Sequence, residues 1–390
     1  MAENDVRARA RELFGDKRLG FGFLRLPLTD PQDQSSVDID EVSRMVDRFL
    51  ESGFTYFDTA FPYHNGLAEN ALRRALVERH PRESYVIADK MPMYCMPKGK
   101  SLQEVFDMQL ENLGVDCIDY YLLHNLYGSV YELAEELGAF EFVQRMKEEG
   151  RVKHIGFSIH DTAERVDEIL TKHPEMEFVQ LQINYIDWEN EAIQARKCYE
   201  AAMRHGKPVV VMEPVKGGTL ATLPEEAEAA LRAVDPGASP ASWALRYVGS
   251  LDGVGMVLSG MSTMEQIEDN TAVMGDFRSL DEREQKAVQE AGEIVVGAIT
   301  VPCTACEYCT KGCPKHIPIP TYFALYNADL QDNKANNASR FRPQHDYYDA
   351  LVSRLPRASE CIQCGKCEKV CPQHIPLRSF QKDVARNFEG

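Results

Sequence analysis

The chain has 390 residues, 61 of them acidic against 43 basic, and a formal net charge of −18. An acidic surface argues against nucleic acid or an anionic membrane as the main partner, and leaves a basic redox protein possible. The length exceeds one ordinary domain and suits a large α/β domain with a small appendix.

Residues 1–18 alternate charges and lack the apolar core of a secretion signal. No later run is long and apolar enough to cross a bilayer. From Leu19 to Ile299 short apolar runs alternate with longer amphipathic ones. Strands are expected at 19–26, 54–59, 85–91, 118–124, 152–158, 178–184, 208–213 and 253–259. Helices are expected at 40–52, 67–80, 101–113, 138–149, 161–172, 191–205, 240–250 and 263–274. Asp161 and Ser239 stand where N-caps belong, with Pro240 in a first turn. Eight βα units in a row predict a (β/α)8 TIM barrel over residues 1–280. The competitor, an open doubly wound sheet, normally carries a G-x-G-x-x-G phosphate turn, which is absent. Gly20 and Gly22 fall inside the first strand rather than in such a turn. The stretch 215–239 reads as a long βα connection of the functional kind, and 281–300 holds a connecting helix.

Residues 301–390 are a different object. Cys303, Cys306, Cys309 and Cys313 form a C-x2-C-x2-C-x3-C-P run, repeated 58 positions later as Cys361, Cys364, Cys367 and Cys371. This is the bacterial ferredoxin spacing, in which three thiolates grip one [4Fe–4S] cluster and the fourth reaches its neighbour. By that rule one cluster takes Cys303, Cys306, Cys309 and Cys371. The other takes Cys361, Cys364, Cys367 and Cys313. Cysteine thiolates that hold clusters need a reducing compartment, so a cytoplasmic protein is expected. Zinc sites use paired C-x2-C ligands, and a disulfide framework suits a small secreted chain. Pro314 to Pro318 repeats as Pro372 to Pro376, which marks an internal duplication; His316 and His374 are expected just outside two complete ligand sets. Cys95, Cys117 and Cys198 read as buried thiols. The polar stretch 315–360, with its Asn-rich 333–337, is expected to hold helices bridging the clusters to the barrel.

Polar residues at barrel strand ends carry chemistry in this architecture. Asp58 ends the second strand, Tyr63 follows in its loop, Lys90 ends the third strand and His124 the fourth. Further on come Met212-Glu213-Pro214-Val215-Lys216-Gly217-Gly218, Ser239-Pro240-Ala241-Ser242-Trp243-Ala244-Leu245-Arg246 and Leu258-Ser259-Gly260-Met261-Ser262. With these, the chain resembles the aldo-keto reductase superfamily over about 19–275, in the branch with a fused ferredoxin domain.

The resemblance implies roles that elementary chemistry supports. Reducing a carbonyl leaves an alkoxide that Tyr63 would protonate. Lys90 would lower the tyrosine pKa from its usual ~10, Asp58 would hold Lys90 charged, and His124 would orient the carbonyl. NAD(P)H would touch Gly22, Ser158, Gln182, Met212, Glu213, the Lys216, Gly217 and Gly218 loop, Gly260, Ser262, Gln266 and Asn270. Two positions depart from the common pattern. Met212 stands where an aromatic usually stacks on nicotinamide, and Gln266 where an arginine usually grips the 2′-phosphate of NADP.

Hydride moves two electrons at once, whereas a cluster moves one. The expected function is therefore an iron–sulfur oxidoreductase acting on a small carbonyl or alcohol. Its clusters would relay electrons between an external redox carrier and a cofactor at the barrel mouth. Two alternatives remain: an electron-transfer module with a vestigial barrel, or a flavin (FMN) enzyme using a phosphate site at strands seven and eight.

Overall fold

The computed structural model describes residues 3–297, 300–303, 305–335 and 342–390. Thr304 of the first cysteine run and positions 336 and 337 of the Asn-rich stretch lie outside the described residues. Eight parallel strands close a barrel in sequential order. They are β1 (Leu19–Gly22), β2 (Tyr56–Asp58), β3 (Val86–Met91), β4 (Ile118–Leu123), β5 (Val152–Ile159), β6 (Phe178–Gln182), β7 (Val209–Met212) and β8 (Val254–Ser259), with β8 pairing back to β1. Their residues are buried on both faces, as helix-covered parallel strands require. Ser239 caps the helix Pro240–Gly249 as expected, accepting from the Ser242 N–H at 3.0 Å.

Asp161 is not a cap. It accepts from the N–H groups of Gly128 at 2.9 Å and Thr162 at 2.7 Å, and pairs with Arg354. Two segments that read as connections contain helices. Pro224 opens Glu225–Arg232, whose first-turn Glu225, Glu226 and Glu228 suit the positive helix end. That helix buries Ala227 and Leu231 in one apolar cluster with the connecting helix Glu282–Gly297. The other is Gly128–Glu136, whose glycine start hides it from a propensity reading. The expected helix 67–80 forms as Ala68–Leu72 and then widens into a π turn, Arg73–Val77.

The charged N-terminus also folds, as the helix Glu3–Phe14 across the bottom of the barrel. Its last residue enters the barrel base: Phe14 stacks on Tyr120 with ring centroids 5.2 Å apart and meets Phe178 edge-on at 5.4 Å. Buried aromatic contacts of this kind dominate core energetics.

The second domain is built from helices around two short turns, Tyr308–Lys311 and Lys366–Val370, one in each cysteine run. The duplication holds in the backbone. Ala305, Glu307 and His316 are left-handed at φ 52°, 61° and 54°, and Gln363, Gly365 and His374 repeat this at 57°, 72° and 52°. As expected of the bridge, the helix Ile319–Ala335 packs on the 216–221 turn after β7, and Pro343–Val352 packs on Gly128–Glu136. Gly128 permits the second contact: a Cβ there would stand 3.2 Å from the Ala350 Cα.

If Phe14 closes the barrel base, Phe14→Ala lowers the unfolding free energy by about 3 kcal/mol. Urea denaturation followed by the fluorescence of Trp188 and Trp243 measures this, and the mouth of the barrel keeps its ligand affinity.

Candidate active site

The barrel's interior rows end in charge. Lys90 Nζ donates to Asp58 Oδ1 at 2.7 Å and to the Thr59 carbonyl at 2.7 Å. Lys90 is fully buried, and Asp58 nearly so. Burial lifts the Asp58 carboxyl above the usual carboxylate range, against the pull of Lys90. Behind the pair lies a network that sequence spacing does not show. Gln109 Nε2 donates to Asp89 Oδ2 at 2.9 Å, to Glu69 Oε1 at 3.1 Å and to the Lys90 carbonyl at 3.0 Å. Burial raises both carboxyls, and the Glu69 charge raises Asp89 further. This network fixes β3 and therefore the root of Lys90.

Tyr63, His124 and Asp58 all line one cavity of about 410 Å³ at the C-terminal mouth of the barrel. The Tyr63 and His124 rings meet edge-on with centroids 5.9 Å apart, and Lys90 Nζ lies 5.3 Å from the Tyr63 ring centroid. The expectation that Lys90 lowers the Tyr63 pKa is overturned. Burial raises it well above the ordinary value, and the Asp58 carboxylate raises it further. The ammonium directs its hydrogen bonds to Asp58 and Thr59, so Asp58 offsets its charge. His124 is driven well below the usual imidazole range by burial, with Lys90 and His160 adding to the shift. The ring is therefore neutral, and its Nδ1 is buried without a protein partner.

Of the expected cofactor contacts, Gly22, Ser158, Met212, Glu213, Gly217, Gly218, Gly260, Ser262, Gln266 and Asn270 line the same cavity. Gln182 and Lys216 do not. Gln182 Nε2 donates to Asp187 Oδ2 at 3.0 Å, and Lys216 Nζ binds the same carboxylate at 2.8 and 2.9 Å, so Asp187 draws both into the wall. Gln180, two residues earlier on β6, lines the cavity instead and donates to Met212 Sδ at 3.5 Å.

The cavity suits an extended dinucleotide. Gly217 and Gly218 have φ of 61° and 101°, and a Cβ on Gly217 would crowd the Arg25 guanidinium at 3.2 Å. The helix Met264–Gly275 points its positive N-terminal end at the cavity, where Glu265, Gln266, Asp269 and Asn270 all contribute. Arg25 also lines the site and pairs with Glu213 at 3.1 Å. It follows β1 inside an apolar-looking run, so hydropathy alone does not reveal it. Gln266 Oε1 accepts from the Ser262 N–H at 2.7 Å, which leaves Glu265 and Asp269 as the charged groups on this helix beside it.

The cysteines gather as their spacing predicts. Cys361, Cys364, Cys367 and Cys313 line one small cavity; Cys303, Cys306, Cys309 and Cys371 line another. No two of the cysteines are joined in a disulfide. Cys198 is buried as expected, Cys117 is partly buried and Cys95 is exposed. Among the described residues no three His, Cys, Asp or Glu side chains converge on a single metal ion. Two rings of four sulfurs around open space suit cubane clusters better than mononuclear zinc. His316 and His374 are exposed and line neither cavity.

Known proteins agree with this division. Residues 18–293 match the Aldo/keto reductase family, and residues 302–375 match the 4Fe-4S dicluster domain. The oxidoreductase YqkF of Bacillus subtilis is 26% identical over 275 residues, 63% of this chain and 85% of that one. The aldo-keto reductase AKR11C1 from Bacillus halodurans, in its holo form, superposes with a TM-score of 0.56 at 26% identity, covering 70% of this chain and 91% of that chain. An aldo-keto reductase from Klebsiella pneumoniae in complex with NADPH gives 0.54 over 70% of this chain and 90% of that one; at 20% identity the likeness is one of fold. The chain belongs to the aldo/keto reductase family and carries a 4Fe-4S dicluster domain behind its barrel.

Proposed function

We propose that the chain interconverts a small carbonyl compound and its alcohol at the mouth of the barrel, with Tyr63 as the proton donor. One observation carries this reading: Asp58, Tyr63 and His124 converge on a cavity that continues past Gly217, Gly260 and Asn270. A nicotinamide dinucleotide held along that second part would supply the hydride. A neutral His124 has one N–H to offer a carbonyl oxygen, and it keeps that N–H at any ordinary pH because its basicity is suppressed. Tyr63 stays a neutral phenol for the parallel reason. An alkoxide is far more basic than a phenolate, so transfer of the Tyr63 proton to it is downhill even from this weak acid. Lys90, 5.3 Å from the Tyr63 ring centroid and held charged by Asp58, would be the cation beside the phenolate left behind.

The cofactor preference we infer is for NAD(H). A 2′-phosphate near Gln266 would meet the Glu265 and Asp269 carboxylates, and the sole cation lining the cavity among the described residues, Arg25, is already paired with Glu213. The eight cluster thiolates would hold two [4Fe–4S] clusters, which supply one-electron transfer when bound. We further propose that the second domain links an external one-electron carrier to the mouth, where a flavin would be needed to join two such electrons and a proton into one hydride. Its helices support this by packing on the 216–221 turn and on the loop after β4.

Anaerobic turnover of small aldehydes and ketones tests the reading. Tyr63→Phe should lower kcat by about 10²–10⁴-fold with nicotinamide binding intact, and NADH should show the lower KM. An unchanged kcat would instead favour a barrel that only docks an electron carrier. The titration behaviour adds a second check. A raised Tyr63 pKa keeps the acid form present through neutral pH, and a depressed His124 pKa keeps the imidazole neutral. Reduction should therefore be flat from about pH 6 to 9, while alcohol oxidation, which needs phenolate, should rise about tenfold per pH unit. A break in the reduction profile near pH 7 would contradict the assignment.

A further inference from the structure

Asn125 follows His124 directly and has a left-handed backbone, φ 57°, uncommon for a residue other than glycine. It is almost fully buried. Its backbone N–H donates to Ser158 Oγ at 2.8 Å, which ties it to the cofactor side of the cavity. Its side chain turns the other way. Asn125 Nδ2 donates to Asp346 Oδ2 at 2.7 Å, across 221 positions of sequence. Asp346 lies on Pro343–Val352, in the second domain and outside the aldo/keto reductase match.

That helix is seated independently of Asn125. Arg354, just beyond its end, pairs with Asp161, and Tyr347 meets the His160 ring edge-on at 5.2 Å. Gly128 lets the backbones approach. Asp346 is thus a fixed acceptor, and Asn125 is the residue that must conform to it. The left-handed turn at Asn125 in turn sets where the chain leaves β4 and hence how His124 enters the cavity.

We propose that Asp346 is a positioning residue for His124: the cluster domain reaches back over the barrel mouth and completes the carbonyl site through Asn125. This rests on the reading of His124 as the group that holds the carbonyl oxygen. It gives the second domain a part in the barrel chemistry that does not depend on electron flow.

The test uses the full chain with both clusters and compares Asp346→Ala with Asp346→Asn, which keeps an oxygen where the carboxylate stood. Asp346→Ala should lower kcat about tenfold, with KM for NADH, iron content and thermal midpoint unchanged. Asp346→Asn should recover kcat to within about threefold of the parent. Equal losses in both variants, a loss that tracks iron content or melting, or no loss at all would overturn the proposal. A crystal structure of Asp346→Ala decides the matter even if no carbonyl substrate is turned over. Asn125 should leave the left-handed region and the His124 ring should shift relative to Tyr63. An unmoved His124 would overturn the role of Asp346, whereas absent turnover with a shifted ring would count only against the proposed reaction.

Discussion

A lysine ammonium and an aspartate carboxylate, 2.7 Å apart and both shut away from water, set the terms for the rest of this barrel. Buried charges are costly, and removing either partner strands the other. The protein meets that cost by closing eight strands around the pair and backing β3 with the Glu69, Asp89 and Gln109 network. The same low-polarity surroundings act on everything nearby. They push the Tyr63 pKa up and the His124 pKa down, the directions that the proposed carbonyl reduction calls for.

The second constraint is the seating of the cluster domain. It docks through two helices on two of the loops that shape the mouth, and its apolar core is continuous with that of the barrel. Val301, Tyr322, Tyr348 and Phe388 belong to the same buried cluster as the strand residues. Side chains from this domain, Asp346, Tyr347 and Arg354, reach Asn125, His160 and Asp161, which lie after β4 and β5. The two halves therefore share a wall as well as a chain.

Much of this was legible before any coordinates. Parallel barrel strands are apolar on both faces, so runs such as Ile118–Leu123 announce themselves, and a polar residue just past such a run, as His124 is, lines the mouth; Lys90, inside β3, instead turns to Asp58 and does not line the cavity. The crossed cysteine pairing followed from the spacing rule of two-cluster ferredoxins. Other features depend on tertiary context. Gln180 and Gln182 share one face of one strand, and only the pull of Asp187 decides which lines the cavity. The direction of the Tyr63 shift depends on how completely the ring is buried, a quantity no spacing encodes. Asp346 reaches its site across a domain boundary, with no local signal to mark it. The N-terminal helix was masked by its charged residues, which face solvent around a narrow buried stripe of Val6, Ala10 and Phe14.

The account stands or falls on whether barrel and cluster domain work as one unit. Electron paramagnetic resonance of anaerobically prepared holoprotein tests this directly. With a flavin at the mouth to split each hydride into two single electrons, adding NADH should produce the signal of reduced [4Fe–4S] clusters, and a carbonyl substrate should then discharge it. Clusters that stay silent to both, in protein that still turns over, would show that no electrons pass between the two domains.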